Sequence, residues 1–225
     1  MSAKHKKLKA PSWLEVGMGA ALSVLLGVVL GAADLVLKPV VAVKEIPKDA
    51  SSGTVYYIEG SRDFTKATAA AATRKAFAGG ETVAVEEGEL NMLFSAAKSD
   101  SAPAKPAEKG APPADVKALD IGALNARIHG GKIQFADTVT YSVLGITGTV
   151  IVQAVGEFEK DGSEFEFVPD SFYVGGCPLQ RLPFIRGFAL KKLLFSQPVP
   201  ADIAAAWPKL VSVTIEESTM HLRMP

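Results

Sequence analysis

The residues of this chain that could do chemistry are its histidines, its one cysteine and its clustered carboxylates, and their spacing argues against catalysis. The three histidines, His5, His129 and His221, stand far apart, and Cys177 has no His or Cys near it in sequence, so no metal-ligand spacing is present. No Gly-x-Ser-x-Gly elbow, phosphate loop or dinucleotide fingerprint occurs. Glu86, Glu87 and Glu89 cluster where a helix is expected to start, a place where acidic side chains complement the helix dipole. Glu157, Glu159, Glu164 and Glu166 alternate with apolar residues and read as the wet face of a half-buried sheet. His129, before Gly130-Gly131, reads as a turn residue. Cys177 lies in the apolar run Val174-Gly-Gly-Cys-Pro-Leu179, which predicts a small buried side chain. These residues lead us to expect a protein that is not an enzyme and that carries no cofactor or metal.

The dominant feature of the chain is residues 16–33. They form an uncharged apolar stretch of eighteen residues behind Lys4, Lys6, Lys7 and Lys9. At helical rise it spans about 27 Å, close to the roughly 30 Å hydrocarbon core of a bilayer. Trp13 stands at its front edge, where an amphipathic ring suits the headgroup region. The basic flank is expected to stay in the cytoplasm and the remainder to lie outside it, in the periplasm or extracellular space. A cleavable signal peptide is the competing reading, since Gly31 and Ala33 before Asp34 loosely fit a small-residue cleavage site. Against it, the apolar run exceeds an ordinary signal-peptide core and resumes at Leu35, Val36 and Leu37 before Pro39. The expected organisation is a basic tail (1–12), a single-pass anchor in the inner membrane (13–38) and an extracytoplasmic domain (48–225). Gly19, Ser23, Gly27 and Gly31, four apart, make a small-residue stripe of the kind that lets membrane helices pair. With 24 basic and 24 acidic residues, the chain has no charge excess to suggest a nucleic-acid partner.

Beyond the anchor the sequence predicts an α+β domain. Residues 54–59 read as a strand, 63–77 as an alanine-rich helix ended by Gly79-Gly80, 82–85 as a brief strand and 86–97 as a second helix. Residues 98–115 contain four prolines and almost no large apolar side chain, so they are expected to be a flexible insertion. Residues 119–128 share Gly-x-Leu-Asn with 85–94 and are expected, like them, to turn into a short helix. From 132 to 143 the pattern alternates, placing Ile133, Phe135, Asp137, Val139, Tyr141 and Val143 on one face. Asp137 is the exception there and suggests an edge or a bulge. Residues 147–159 and 164–174, joined at Asp161-Gly162, form a predicted hairpin with a kink at Pro169. A helix over 182–195, a helical turn near 201–207 and two strands over 210–216 and 219–224 complete the expectation. The whole would be a curved antiparallel sheet of four to six strands packed with one long helix and shorter ones.

Glu87-Gly-Glu-Leu-Asn91, the long hairpin over 143–174 and the turn Val174-Gly-Gly-Cys-Pro-Leu-Gln-Arg-Leu-Pro183 together resemble YpmS-like bacterial proteins, which are single-pass and extracytoplasmic. In this chain the glycine is doubled and Gln180-Arg181 interrupts the turn. Such proteins are similar in turn to tubular lipid-binding (TULIP-like) domains, and the resemblance implies handling of a lipid or another apolar ligand, with no catalytic residues to carry over. The residues expected to line an apolar groove are Phe135, Val139, Tyr141, Phe184, Phe188 and Phe195. The same residues would serve equally as core filling. The alternative function is an envelope scaffold that acts through protein contacts, either with a partner membrane protein or by self-association of the anchor.

Overall fold

The computed structural model describes residues 12–45, 47–49, 51, 53–101, 119–143, 146–179, 187, 190–196 and 199–225. The apolar stretch is helix α1, Trp13–Val36. Ser12 caps it, accepting the Glu15 N–H at 3.3 Å, while Glu15 accepts the Ser12 N–H at 2.7 Å. Its 24 residues rise about 36 Å, long and apolar enough to cross a bilayer. Most of its large side chains, from Leu14 to Leu30, lie exposed, whereas Ala32, Leu35 and Val36 near its end pack on the domain core.

That end is fastened to the domain. The Gly176 N–H donates to the Leu35 carbonyl at 2.8 Å, which satisfies one of the orphan acceptors of the last helical turn. Gly175 has φ +57, and a Cβ there would overlap the Val36 carbonyl oxygen. Strand β1, Val40–Val43, begins directly afterwards and pairs in parallel with β2, Val55–Ile58. The sequence reading anticipated β2 but not β1, whose four apolar residues show no alternation.

A 3₁₀ turn at Phe64–Lys66, capped by Asp63, leads into α2, Ala67–Ala78, and β3, Val83–Glu86, leads into α3, Glu87–Ser101. Helix α3 thus runs through the first residues of the expected insertion; the rest of that insertion, 102–115, lies outside the described residues. The expected helix start at 119–128 is overturned. Leu119–Ile121 (β4) and Asn125–His129 (β5) are strands, and both pair antiparallel with β6, Lys132–Val143. The local likeness to 85–94 lost to tertiary context, because β6 offers an open edge along which both segments pair.

Strand β6 also pairs with β7, Ile146–Asp161, and β7 with β8, Glu164–Val174, which meets the two-residue β9, Cys177–Pro178. The result is an open, six-stranded antiparallel sheet. The kink expected at Pro169 is a β-bulge: Pro169 faces Gly156 and Ser171 faces Val155, leaving Asp170 as the extra residue. The bulge reverses the alternation, so Phe167 before it and Phe172 after it reach the same core. Strand β10, Ser212–Glu216, and β11, Thr219–Arg223, form a separate three-stranded sheet with β3. Of the expected helix over 182–195, the described residues are Gly187, which is helical, and 190–195, which hold a π-helical turn at Leu190–Leu194; Phe184 and Phe188 lie outside the described residues. Helix α4, Ala201–Ala206, is tied to α2 by Arg74, whose guanidinium donates to both Asp202 oxygens at 2.7 and 2.8 Å.

Replacing Gly175 by Ala should break the junction between α1 and the sheet. We expect a loss of about 2 kcal/mol or more, from strain in the left-handed region together with the clash. Thermal unfolding of the full chain should show it, along with faster proteolysis at Lys38 and Lys44; an unchanged melting temperature would contradict the docking described.

Candidate functional site

The apolar face of β6 divides into a filled half and an open half. In the filled half Phe135, 4% exposed, is the hub of an aromatic cluster. Phe94, Phe158, Phe167 and Phe195 surround it edge-on, with ring centres 5.0 to 6.3 Å away. Trp207 extends the cluster to Phe158 and Phe77, and its indole N–H donates to the Phe165 carbonyl at 2.8 Å. Two of the residues expected in a groove, Phe135 and Phe195, therefore pack against each other here.

In the open half lies an apolar groove of about 310 Å³. Val139 and Tyr141 of β6, Val150 and Val152 of β7 and Val174 of β8 form its floor. Val36 and Leu37 at the end of α1 and Leu193 of the π-helical turn form its walls. The Tyr141 ring lies across Gly148, its partner in the β6–β7 ladder. Val139 and Tyr141 were expected from the alternation of β6. Val150 and Val152 were missed; they stand opposite Val139 and Asp137 in the β6–β7 ladder, a register that the alternation of β6 alone does not supply. Val36, Leu37 and Leu193 carry no such signal, since their place depends on how separate elements dock.

A set of buried and half-buried polar side chains ties α3 and the 57–61 segment to β5. Glu87 and Asn91, four apart on α3, are about 6 Å apart along the helix, and Ala126 and Ile128, two apart on β5, have nearly the same separation. The Asn91 amide, fully buried, accepts the Ala126 N–H at 2.6 Å and donates to the Ala126 carbonyl at 2.7 Å and to the Ser61 carbonyl at 2.8 Å. Glu87 accepts the N–H groups of Ile128 and Ser61 at 2.7 and 2.6 Å. Asn125, also buried, accepts the Tyr57 hydroxyl at 2.6 Å and the Gly60 N–H at 2.8 Å. A Cβ at Gly60 would overlap the Ala126 carbonyl oxygen. Glu87, expected to complement its own helix, instead closes the outer edge of β5. Lys66 pairs with Glu86 nearby.

Asp137 marks neither an edge nor a bulge. It sits at mid-strand in β6, opposite Val152, where the partner edge passes from β4 to β5. It is 3% exposed; one carboxylate oxygen accepts the Thr138 N–H at 2.6 Å, and the other has no partner among the described residues. A small polar pocket beside it is lined by Tyr57, Glu59, Arg62 and Asn125. Burial pushes the Asp137 carboxyl up to about 6, against the pull of the Thr138 N–H and of Lys98 and Arg62. Burial likewise raises the Tyr57 phenol above its ordinary value. Cys177 is buried, and His129 ends β5 at the Gly130-Gly131 turn. Among the described residues no group of three or more His, Cys, Asp or Glu side chains could hold a metal ion. On α1, Gly19, Ser23, Gly27 and Gly31 keep their spacing; nothing lies near the three glycines, and the Ser23 hydroxyl donates to the Gly19 carbonyl at 2.8 Å.

In comparisons with known proteins no family model, no curated protein and no solved structure matches the chain. The resemblance to YpmS-like and TULIP-like proteins therefore rests on the chain's own residues.

Two outcomes are expected at the polar side. Asn91→Ala leaves the buried Ala126 N–H and carbonyl without their side-chain partner and should cost about 3 kcal/mol, read from the urea midpoint. Asp137 titrates near 6 when folded and near 3.8 when unfolded, so its charged form is penalised in the fold. Stability should fall as pH rises from about 4 to about 6, by on the order of 3 kcal/mol, and then level off. Asp137→Asn should flatten that profile and be the more stable protein at neutral pH; parallel profiles for the two would contradict the assignment.

Proposed function

We propose that this chain is a membrane-tethered, non-catalytic module that binds a lipid acyl chain in the groove between the end of α1 and the β6–β8 face. One observation carries the reading: an apolar groove, with no charged lining residue, is built partly from the last residues of the helix that is able to cross a membrane. Its 310 Å³ matches the smaller ligand pockets, which run from about 300 to 1,000 Å³. Each methylene buried there contributes about 0.8 kcal/mol, so a modest length of chain suffices for binding. The geometry of the anchor supports direct transfer, because an acyl chain reaches Val36 and Leu37 from the bilayer without crossing water. In this reading α1 is a single-pass anchor, its N-terminus is cytoplasmic and the domain faces the periplasm or the outside.

The test uses the full chain in nanodiscs containing phosphatidylcholine with a diazirine at its acyl terminus. Photolabelling should map to peptides that carry Val139, Tyr141 and Val150. Val150→Phe, which fills the groove with an apolar side chain, should remove most of that label while the melting temperature stays near wild type. Labelling confined to α1 would overturn the groove reading and favour a scaffold that pairs through Gly19, Ser23, Gly27 and Gly31.

A further inference from the structure

Strand β10 is the outermost strand of its sheet, whose order is β10–β11–β3. Strand β11 takes one edge of it, from Ser212 to Glu216, and among the described residues no backbone group bonds to the other edge. An edge of this kind is a template for a further strand. Val211, Val213 and Ile215 alternate along it; Val213 and Ile215 pack on the domain core, while Val211 is 47% exposed. Opposite charges flank the strand. Lys209, exposed, ends the 3₁₀ turn Trp207–Lys209 before it, and Glu216 and Glu217, both exposed, stand at its other end. Neither Lys209 nor Glu217 takes part in an ion pair among the described residues. Glu217 has φ +52, in the left-handed region that glycine or asparagine occupies at less cost, so the turn carries a carboxylate that its own conformation does not favour.

From the open edge and the order of charge along it, we propose that β10 pairs antiparallel with β10 of a second copy of this chain, joining two three-stranded sheets into one. The segment is complementary to itself. A twofold axis at Val213 sets that residue against its own copy, Val211 against Ile215, Ser212 against Thr214 and Lys209 against Glu217. The apolar β-branched residues then meet one another and the lysine end of each strand meets the glutamate end of the other, the cross-strand pairs that stabilise a sheet. Five strand residues a side bury little surface, well below an ordinary stable interface, so the pairing is weak between chains free in solution. Chains held by α1 in one membrane meet at a raised effective concentration, which favours it. The inference needs α1 as the anchor proposed above and is independent of what the groove holds.

The experiment measures energy transfer between donor-tagged and acceptor-tagged full chains in phosphatidylcholine vesicles as the protein-to-lipid ratio rises. Wild-type chains should show transfer above random mixing, and untagged chain should compete it away. Lys209→Glu and Glu217→Lys, both at exposed positions, should each weaken association about fivefold, because the twofold axis repeats every reversed pair. The double variant Lys209→Glu/Glu217→Lys restores opposite charges across the interface and should return association to the wild-type level. Wild-type transfer no greater than random mixing overturns the proposal. Transfer that neither single reversal reduces also overturns it and moves the association to another surface, such as α1. Failure of the double variant to recover what the single reversals lose overturns the pairing of Lys209 with Glu217 and with it the interface.

Discussion

The Leu35 carbonyl, accepting the Gly176 N–H at the end of α1, fixes how the apolar helix meets the rest of the chain. A helix ends with carbonyls that lack intrahelical partners, and they need water or protein donors. Here the turn between β8 and β9 supplies one such donor, and glycine at 175 lets the two backbones approach. The Pro39 carbonyl then accepts the Val55 N–H at 2.8 Å, so the chain passes from helix into paired strand within a few residues. Helix and sheet are joined without a slack linker. The groove follows from that junction, because its walls at Val36 and Leu37 hold their place over the β6–β8 face only while the helix end stays docked.

The opposite side of the sheet is governed by unpaired edge groups. Strand β5 uses one edge on β6 and would present the other, including the Ala126 and Ile128 N–H groups, to an apolar interior. An unpaired backbone group there costs as much as a lost hydrogen bond or more. Asn91 and Glu87 answer both N–H groups from a helix, and Asn125 binds the 57–60 segment from the strand itself. Asp137 marks the place where this scheme leaves a gap, at the passage from β4 to β5. A carboxylate there is tolerated because it takes up a proton more readily than an exposed one does.

The parts of the fold set by local pattern were legible in the sequence. Strand β6 runs over the residues that alternate, α1 over the apolar stretch, and the β7–β8 turn falls at Gly162-Ser163, one residue beyond the expected Asp161-Gly162. The parts set by partners were not. Residues 119–128 share only Gly-x-Leu-Asn with the start of α3, and 119–121 and 125–129 are strands because β6 has an edge for them. Val40–Val43 pairs in parallel with residues beyond an intervening loop, which no short-range pattern announces. The site followed the same rule. The alternation of β6 named Val139 and Tyr141, but it could not say that four phenylalanines close over Phe135 while the other half of the face stays open. Phenylalanine looked like the natural lining for an apolar groove; among the described residues the lining is mostly valine and leucine, and Phe135 and Phe195 pack in the aromatic cluster instead.

The central claim, that the groove beside the end of α1 holds a lipid, is tested most directly by native mass spectrometry of the full chain released gently from its membrane. The account predicts a population carrying one phospholipid per chain, retained under activation that strips the detergent. A chain that emerges free of lipid under conditions that preserve other non-covalent complexes would contradict it.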